Sequence, residues 1–373
     1  MTMSPTRTTT PGTGTTGTTA RTAVPYRLER VGVVMEPLAG EPLEAEGVLN
    51  PGSGRGPDGE LYLLPRMVAA GNVSRIGLAR VLVEGGLPVG VERQGVVLAP
   101  DRGFERGAVN SGVEDPRVTF IEALGLHVMT YVAYGPLGPR TALAVSEDLR
   151  EWRRLGPVTF AYDDDLDIDL GLFHNKDTVF FPEIVAAPDG TRSFAVLHRP
   201  MWDLGETRPG EGVRLPAGIE DPRQSIWISY VPVDEVDRDL ASLTRWTRHR
   251  FLAGPEFPFE ELKVGGGPAP LRVPEGWLLI HHGVTGVIDS AFAQQQHVNY
   301  SAGAILLDGD DPSRVIARTA EPLLEAETEE ERSGIVPNVV FPTAIEEIDG
   351  QHYVFYGMAD SKIGAARLVR TDG

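Results

Sequence analysis

The tetrapeptide Glu114–Asp115–Pro116–Arg117 puts two carboxyl groups, a rigid ring and a permanent cation into four consecutive residues, and it leads into a strand-forming run. An acid set between a fixed backbone and a guanidinium is held in one place, as proton transfer requires. The same four letters return at Glu220–Asp221–Pro222–Arg223, before SIWISYV, so the chain reads as copies of one unit. Corresponding places in the other copies, at strand beginnings and ends, supply Arg66, Lys176, Asp177, Glu183, His198 and Arg199. Arg223, Lys263, His281, His282, Tyr300, Tyr356 and Asp360 complete the set. Brought together, four Arg and two Lys among carboxylates make a polar pocket suited to an anion.

Each motif also has a structural reading. In an Asp-Pro-Arg turn the Asp can cap, the Pro fix φ and the Arg pair with a carboxylate, and of two copies at least one is expected to be such a turn. His281 and His282 are adjacent on a strand, so one must face away. Metal-binding spacings such as HExxH or CxxC are missing, and no metal or organic cofactor is expected. Gly265–Gly267 lacks the following GK[ST] of a nucleotide loop and instead lets the backbone approach a ligand closely. The acidic run at 163–169 lacks the Gly and terminal Glu of a calcium loop and reads as a solvated loop.

The elements that must position these residues are strands. Helical periodicity is scarce, and 43 Gly with 30 Pro favour turns between short β-rich runs such as HVMTYVAY, SFAVLHRP, GWLLIHHGV and HYVFYGMA. A Pro-containing segment, a strand ending in an aromatic or His, and a strand of small apolar residues recur five times. The units start near Leu64, Asp115, Phe181, Gly267 and Phe341. One small sheet cannot bury both faces alone, whereas stacked sheets bury each other. The expected fold is all-β, a five-bladed β-propeller, with a two-sheet sandwich as the alternative. Residues 202–218 read as an insertion loop and 233–247 as a short helix. The Thr/Gly-rich residues 1–24 read as a disordered tail, leaving 25–373 as a single catalytic domain.

Composition narrows the partners. A net charge of −19 repels nucleic acid and anionic membranes, so any cations for an anionic substrate must be clustered locally. No apolar run is long enough to span a bilayer. The absence of Cys and of an apolar leader segment points to the cytoplasm.

Taken together, these motifs resemble those of glycoside hydrolase family 130, the β-mannoside phosphorylases and related β-mannosidases. The resemblance runs from about Asn50 to Arg370. It is carried by NPGSG with YLLPRMV, EDPRVT with TALAVSEDLREW, NKDTVFFPE with LHRP, KVGGGPAPL with GWLLIHHGV, YSAGAILLDGDDPSRVIART, and VPNVVFPTA with YGMADSKIGAA. It implies a five-bladed propeller and an inverting reaction in which phosphate cleaves a β-mannoside to give mannose 1-phosphate. The alternatives are hydrolysis by water and, more remotely, a non-catalytic carbohydrate-binding propeller. By the resemblance Asp115 is the general acid, protonating the leaving oxygen through a mannosyl hydroxyl. Arg199, Lys263, Tyr300 and His282 hold phosphate, and His174 stands where phosphorylases often carry an Arg. Asn50, Arg66, Glu114, Arg117, Lys176, Asp177, His198 and Asp360 fall to the sugar. The partners implied are a mannoside oligosaccharide and inorganic phosphate, and family members commonly form homo-oligomers. Phosphorolysis also fits the residue types: an inverting hydrolase needs a second carboxylate as base, whereas phosphate needs cations.

Overall fold

The run Trp277–Leu278–Leu279–Ile280 has no polar face. Successive strand residues point to opposite sides of a sheet, so such a strand must be covered on both. The computed structural model describes residues 23–205, 208–288 and 295–371, and it meets this demand with four sheets. The expected tail therefore lies, apart from its last two residues, outside the described residues.

β1 (Tyr26–Met35) pairs with the last strand of the chain, not with its sequence neighbour. The first unit is β2 (Gly47–Arg55), β3 (Leu61–Ala69), β4 (Val73–Glu84) and β5 (Leu87–Leu98). The second is β6 (Ser111–Ile121), β7 (Leu126–Gly135), β8 (Gly138–Ser146) and β9 (Arg153–Pro157). Together they form an eight-stranded sheet, but among the described residues the two halves pair strand to strand only through a short parallel contact of Val73 and Ser74 with Ser111 and Gly112. The third unit adds β10 (Thr159–Phe160), β11 (His174–Ala186), β12 (Arg192–Met201), β13 (Ile226–Pro232) and β14 (Arg245–Ala253). The fourth is β15 (Lys263–Gly266), β16 (Leu271–Val273), β17 (Gly276–Val287), β18 (His297–Leu307) and β19 (Val315–Arg318). The fifth is β20 (Val340–Ile348), β21 (Gln351–Met358) and β22 (Lys362–Arg370), with β1 as its outer strand. Within each unit the main strands run antiparallel, and no sheet among the described residues closes on itself.

Five apolar clusters lie between the units, and each is shared by two of them. Tyr62, Leu64 and Ile76 of the first unit meet Met129 and Tyr131 of the second. Val128 and Leu143 meet Phe180, Phe194 and Trp246 of the third. Val179 and Ile228 meet Trp277 and Leu279 of the fourth. Leu278 and Ile280 meet Val354 and Tyr356 of the fifth. The last cluster returns to the beginning, with Phe355 and Ile363 of the fifth unit against Val48 and Leu63 of the first.

A second device repeats with the units. The loop leading into the first strand carries a fully buried glutamate in four of the five: Glu44, Glu105, Glu260 and Glu331. Each accepts backbone N–H groups of its own loop and an arginine from the outermost strand of the same unit. Those arginines are Arg93, Arg154, Arg318 and Arg30. Three also take a group from the second strand: Tyr131, His281 and Tyr356 donate to Glu105, Glu260 and Glu331 at 2.8, 2.7 and 2.9 Å. One carboxylate thus ties the leading loop to the inner and outer parts of its sheet, with its lone pairs satisfied by charge-assisted bonds. In the third unit the place is taken by neutral groups, His198 Nε2 to Ser229 Oγ at 2.7 Å and Ser229 Oγ to His249 Nδ1 at 2.8 Å.

Two expectations change. The first unit begins at Gly47, one strand before Leu64: GVLNPGSGR, for all its Gly, Pro and Asn, forms a bulged strand. The segment 233–247 is not one helix. It holds α1 (Val233–Arg238), a 3-10 turn over Leu240–Thr244 capped by Asp239, and the start of β14, where burial of Trp246 against Phe160 and Phe180 draws the chain into the sheet. The insertion after Trp202 packs Leu204, Leu215 and Ile219 against Phe173 and Trp227. The only other α-helix among the described residues is α2 (Glu329–Arg332), and no helix of the described residues is long and apolar enough to cross a membrane.

Replacing Arg318 by Met leaves Glu260 buried without its one fixed cation, with only His281 and two backbone N–H groups as donors. Urea unfolding is expected to show a loss of about 3–5 kcal/mol. Asp221→Ala, which breaks an exposed pair with Arg223, is expected to cost less than about 1 kcal/mol.

Candidate active site

The first strands of the first three units share one distortion. Pairing shifts between Leu49 and Gly52 in β2, between Glu114 and Arg117 in β6, and between Lys176 and Val179 in β11. Within each shift one polar residue adopts left-handed backbone: Asn50 at φ 43°, Asp115 at 46° and Asp177 at 54°. Pro51 and Pro116 supply no N–H to the ladder, which suits a bulge. A bulge re-aims its side chain, and a non-glycine residue in this region persists only where surrounding structure enforces it.

Asp115 is the centre of a carboxylate-rich group. Its Oδ1 accepts Asn50 Nδ2 at 2.9 Å and Arg66 Nη1 at 3.0 Å. Arg66, buried on β3, also donates to Glu114 Oε1 at 2.9 Å, Asn72 Oδ1 at 3.0 Å and Ser74 Oγ at 2.9 Å. Lys176 Nζ lies 3.9 Å from Glu114 Oε2 and over the Tyr134 ring. Burial raises the Asp115 carboxyl, but Arg66, Lys176 and Asn50 outweigh it and hold the group below its usual range. Asp360, in the turn between β21 and β22, is different. Burial pushes it up to about 6 against Arg66 and Lys176, with Asp115 and Glu114 adding to the rise.

Asp177 is the centre of a cation-rich group. Arg199 Nε donates to its Oδ2, His282 Nε2 lies 3.5 Å from the same oxygen, and Arg117 Nη2 lies 3.7 Å from Oδ1. Burial opposes ionisation, yet Arg199, His282 and Arg117 keep this carboxyl far below its ordinary value. Lys263, buried at the start of β15, has its Nζ 5.4 Å from the Tyr300 ring centre. Burial, with Arg199 and Lys176 adding repulsion, pushes its ammonium down to about 7 despite Asp177. Burial holds the His282 ring neutral at neutral pH, and the ring stacks 4.5 Å from Phe341. The Tyr300 hydroxyl, raised by burial, donates to Gln295 Oε1 at 3.2 Å. A side chain at Gly265 would put its Cβ 2.3 Å from Asp177 Oδ2, which explains a glycine in KVGGG.

Donors remain open here. Arg199 Nη1 and Arg117 Nε and Nη2 are buried without a hydrogen-bond partner, as are both nitrogens of His282, whose neutral ring offers one donor and one acceptor, and Lys263 Nζ donates to no acceptor among the described residues. Buried donors without acceptors are costly unless a ligand supplies them. Several cations around one carboxylate, in a chain of net charge −19, suit a multiply charged oxyanion beside a positioned acid.

The structure therefore assembles Asn50, Arg66, Glu114, Asp115, Lys176 and Asp360 in one group, and Arg117, Asp177, Arg199, Lys263, His282 and Tyr300 in the other. Several expected members are not brought in. His198 points to the opposite face of β12 from Arg199, where it stacks near Phe160 and Trp246 and bonds Asn175 and Ser229, because neighbours on a strand alternate. His174 stands against the β7–β8 hairpin, its Nε2 bonded to the Leu137 carbonyl at 3.1 Å, with the Gly138 backbone beside the ring. Glu183 is exposed farther along β11, within a second register shift. The second EDPR is a surface turn: Arg223 pairs with Asp221, and both line a cleft of about 370 Å³ between β14 and β19. His281 is the neighbour that faces away, onto Glu260. Sequence reasoning missed Asn72, which joins Arg66, and Phe341, which touches His282, Tyr300 and Arg117. Phe341 heads a repeat unit, and that position was its one signal.

Residues 74–371 match a family model described as β-1,4-mannooligosaccharide phosphorylase, glycoside hydrolase family 130. The chain is 33% identical over 265 residues to a 1,2-β-oligomannan phosphorylase of Thermoanaerobacter sp. (strain X514), a match covering 70% of this chain and 69% of that protein. It is 32% identical to a β-1,2-mannobiose phosphorylase of the same organism, over 68% and 66% of the two chains. Among solved structures, the β-1,2-mannobiose phosphorylase of Listeria innocua in complex with β-1,2-mannobiose superposes with a TM-score of 0.67, covering 94% of this chain and 98% of that one at 21% identity. A second, at TM-score 0.67 and 24% identity over 91% and 93%, comes from the family of mannoside phosphorylases that contains glycoside hydrolases targeting β-1,2 mannosidic linkages in Candida mannan. At these identities the structural likenesses show a shared fold.

Sulfate, which stays a dianion across the range, is expected to raise the melting temperature, and Arg199→Met to abolish most of the rise. Lys263 carries its proton below about 7 and loses it above. Sulfate stabilisation should therefore be greatest below pH 7 and decline as pH rises through it, read by thermal unfolding.

Proposed function

The chain belongs to glycoside hydrolase family 130, and we propose that it is an inverting β-mannoside phosphorylase, converting a β-mannoside and inorganic phosphate to mannose 1-phosphate. The observation that carries this reading is the set of buried, unengaged donors on Arg117 and Arg199, beside Lys263 and next to a fixed acid. Phosphate supplies the acceptors these groups lack. We propose the five-bladed propeller as its frame, supported by the five apolar clusters that pass from unit to unit and back to the first. A Cys-free composition suits the cytoplasm as the place of reaction.

In this reading Asp115 gives the proton that the leaving oxygen needs as the bond to the anomeric carbon breaks. Its Oδ1 is anchored by Arg66 and Asn50, while Oδ2 accepts no hydrogen bond among the described residues and is the oxygen that carries the proton. Phosphate held by Arg199, Lys263, His282 and Tyr300 attacks from the opposite side of the sugar, which inverts the configuration. Arg117 and Asp177 keep that cradle rigid: Arg117 bonds the Gly266 carbonyl at 2.8 Å, and Asp177 orients Arg199. Holding nucleophile, sugar and acid in register is a large part of such catalysis.

The second reading is hydrolysis, and one observation favours it: Asp360, with a value of about 6, could take a proton from water. A single comparison separates the two. With β-1,2- and β-1,4-mannobiose, turnover is expected only when phosphate is present, and equal turnover without it would establish the hydrolase. Asp115→Asn is expected to lower kcat by roughly 10²–10⁴-fold. Asp221→Asn, in the exposed second EDPR, is expected to stay within about twofold of the parent.

A further inference from the structure

An acid that is ionised at rest cannot donate a proton, and Asp115 faces that difficulty. Arg66, Lys176 and Asn50 all favour its charged form. The surrounding charge count shows where a proton can remain. Glu114, Asp115 and Asp360 are three carboxyls gathered around two cations, Arg66 and Lys176. Arg66 is fully committed, with Nε on Ser74, Nη1 on Asp115 and Nη2 on Asn72 and Glu114. Lys176 lies nearest Glu114. Asp360 receives no hydrogen bond or ion pair from either cation, nor from any other described residue. Three like charges in a site with low dielectric walls do not all ionise when only two are countered.

The position of Asp360 is enforced by backbone. Ala359 and Asp360 are consecutive left-handed residues, at φ 46° and 48°. Their turn is clamped from both sides: Val48 N donates to Ser361 O at 3.1 Å, Ala359 N donates to Val339 O at 3.1 Å, and Ser361 N closes on Met358 O at 3.0 Å. Gly334 has no room for a side chain, since its Cβ would fall 2.1 Å from Ala359 O. Two strained residues held this firmly at the edge of a site indicate a carboxyl placed for a purpose. The charged and titratable groups facing it are Arg66 from β3, Glu114 and Asp115 from β6, Lys176 from β11 and Tyr300 from β18.

We propose that Asp115 and Asp360 hold one proton between them, resting on Asp360 in the empty site and passing to Asp115 when a glycoside bridges the two. Asp360 is thus a positioning residue for the acid, and its role in turnover rests on the phosphorylase reading. The balance closes. One proton leaves the pair for the leaving oxygen as its bond to the anomeric carbon breaks and the new bond to a phosphate oxygen forms. The proton that monohydrogen phosphate carried then returns to the pair, leaving mannose 1-phosphate as the dianion. No proton is exchanged with solvent overall.

Titration of the full chain with ¹³C-carboxyl-labelled Asp reads the pair directly. The expected result is one carboxyl that titrates near pH 6, absent in Asp360→Asn, and moved down by about one pH unit or more in Asp115→Asn. A titration of Asp360 in the ordinary carboxylate range, or one unmoved by Asp115→Asn, would overturn the proposal. The wild-type titration decides even if Asp360→Asn does not fold. Activity supplies a second readout. Removing the Asp360 charge lowers the pH at which Asp115 loses its proton, so in Asp360→Asn the alkaline limb of kcat should move down by about one pH unit or more. A residue that only binds sugar would raise KM and leave the limb in place. If wild-type protein turns over no mannoside, the phosphorylase reading fails, while the carboxyl titration still decides the pair.

Discussion

Each sheet of this chain is apolar on both faces, so no unit can stand at the end of a row. Trp277 and Leu279 of β17 are covered by the third unit, and Leu278 and Ile280 by the fifth. The same demand applied five times brings the last unit against the first, with Phe355 and Ile363 packed on Val48 and Leu63. Pairing of β1 with β22 ties the two ends of the described chain into one sheet. The first strands are then neighbours whatever their sequences, and that is why residues as distant as Asn50, Asp115, Asp177 and Lys263 can share one site. The buried glutamates add a local version of this constraint. Each fixes the loop that delivers a first strand, so the position of Lys263 depends on Glu260, Arg318 and His281 behind it.

Within this frame, charge is separated over a short distance. Around Asp115, carboxyls exceed cations and a proton is retained. Around Asp177, cations exceed carboxyls and donors are left open. Both groups rest on the same backbone device, a bulge with one polar residue in left-handed conformation. The arrangement suits a reaction that brings in an anion and consumes a proton at adjacent points. A hydrolase has little need of the second group, because water requires a base and no cradle of Arg and Lys.

Much of this was legible in the sequence. Strand patterning and repeated Pro-containing segments identified an all-β chain of five units, and the family resemblance singled out Asp115, which stands at the start of a unit, from the second EDPR. What escaped depended on side-chain direction and on bulges. His198 and Arg199 are adjacent, and alternation decides that only Arg199 faces the site, but a register shift at Lys176–Val179 in the partner strand hides which face that is. The first strand was missed because Asn50–Pro51–Gly52 has turn composition, although the tertiary contacts of Val48 and Leu49 keep it in the sheet. The difference between Asp115 and Asp360 lies in how Arg66 divides its donors, which no local pattern records. The buried glutamates were invisible for a related reason: acidic residues at loop positions look solvated until the arginine of a distant strand is placed against them.

The central claim is that the cation group receives phosphate as the nucleophile, opposite an acid at Asp115. It is tested most directly by following the ³¹P and ¹H NMR spectra of a reaction with β-mannobiose and inorganic phosphate. The account predicts loss of the inorganic phosphate signal with growth of an α-configured mannose 1-phosphate from the first turnover. Release of free mannose with the phosphate signal unchanged, or formation of the β-anomer, would contradict it.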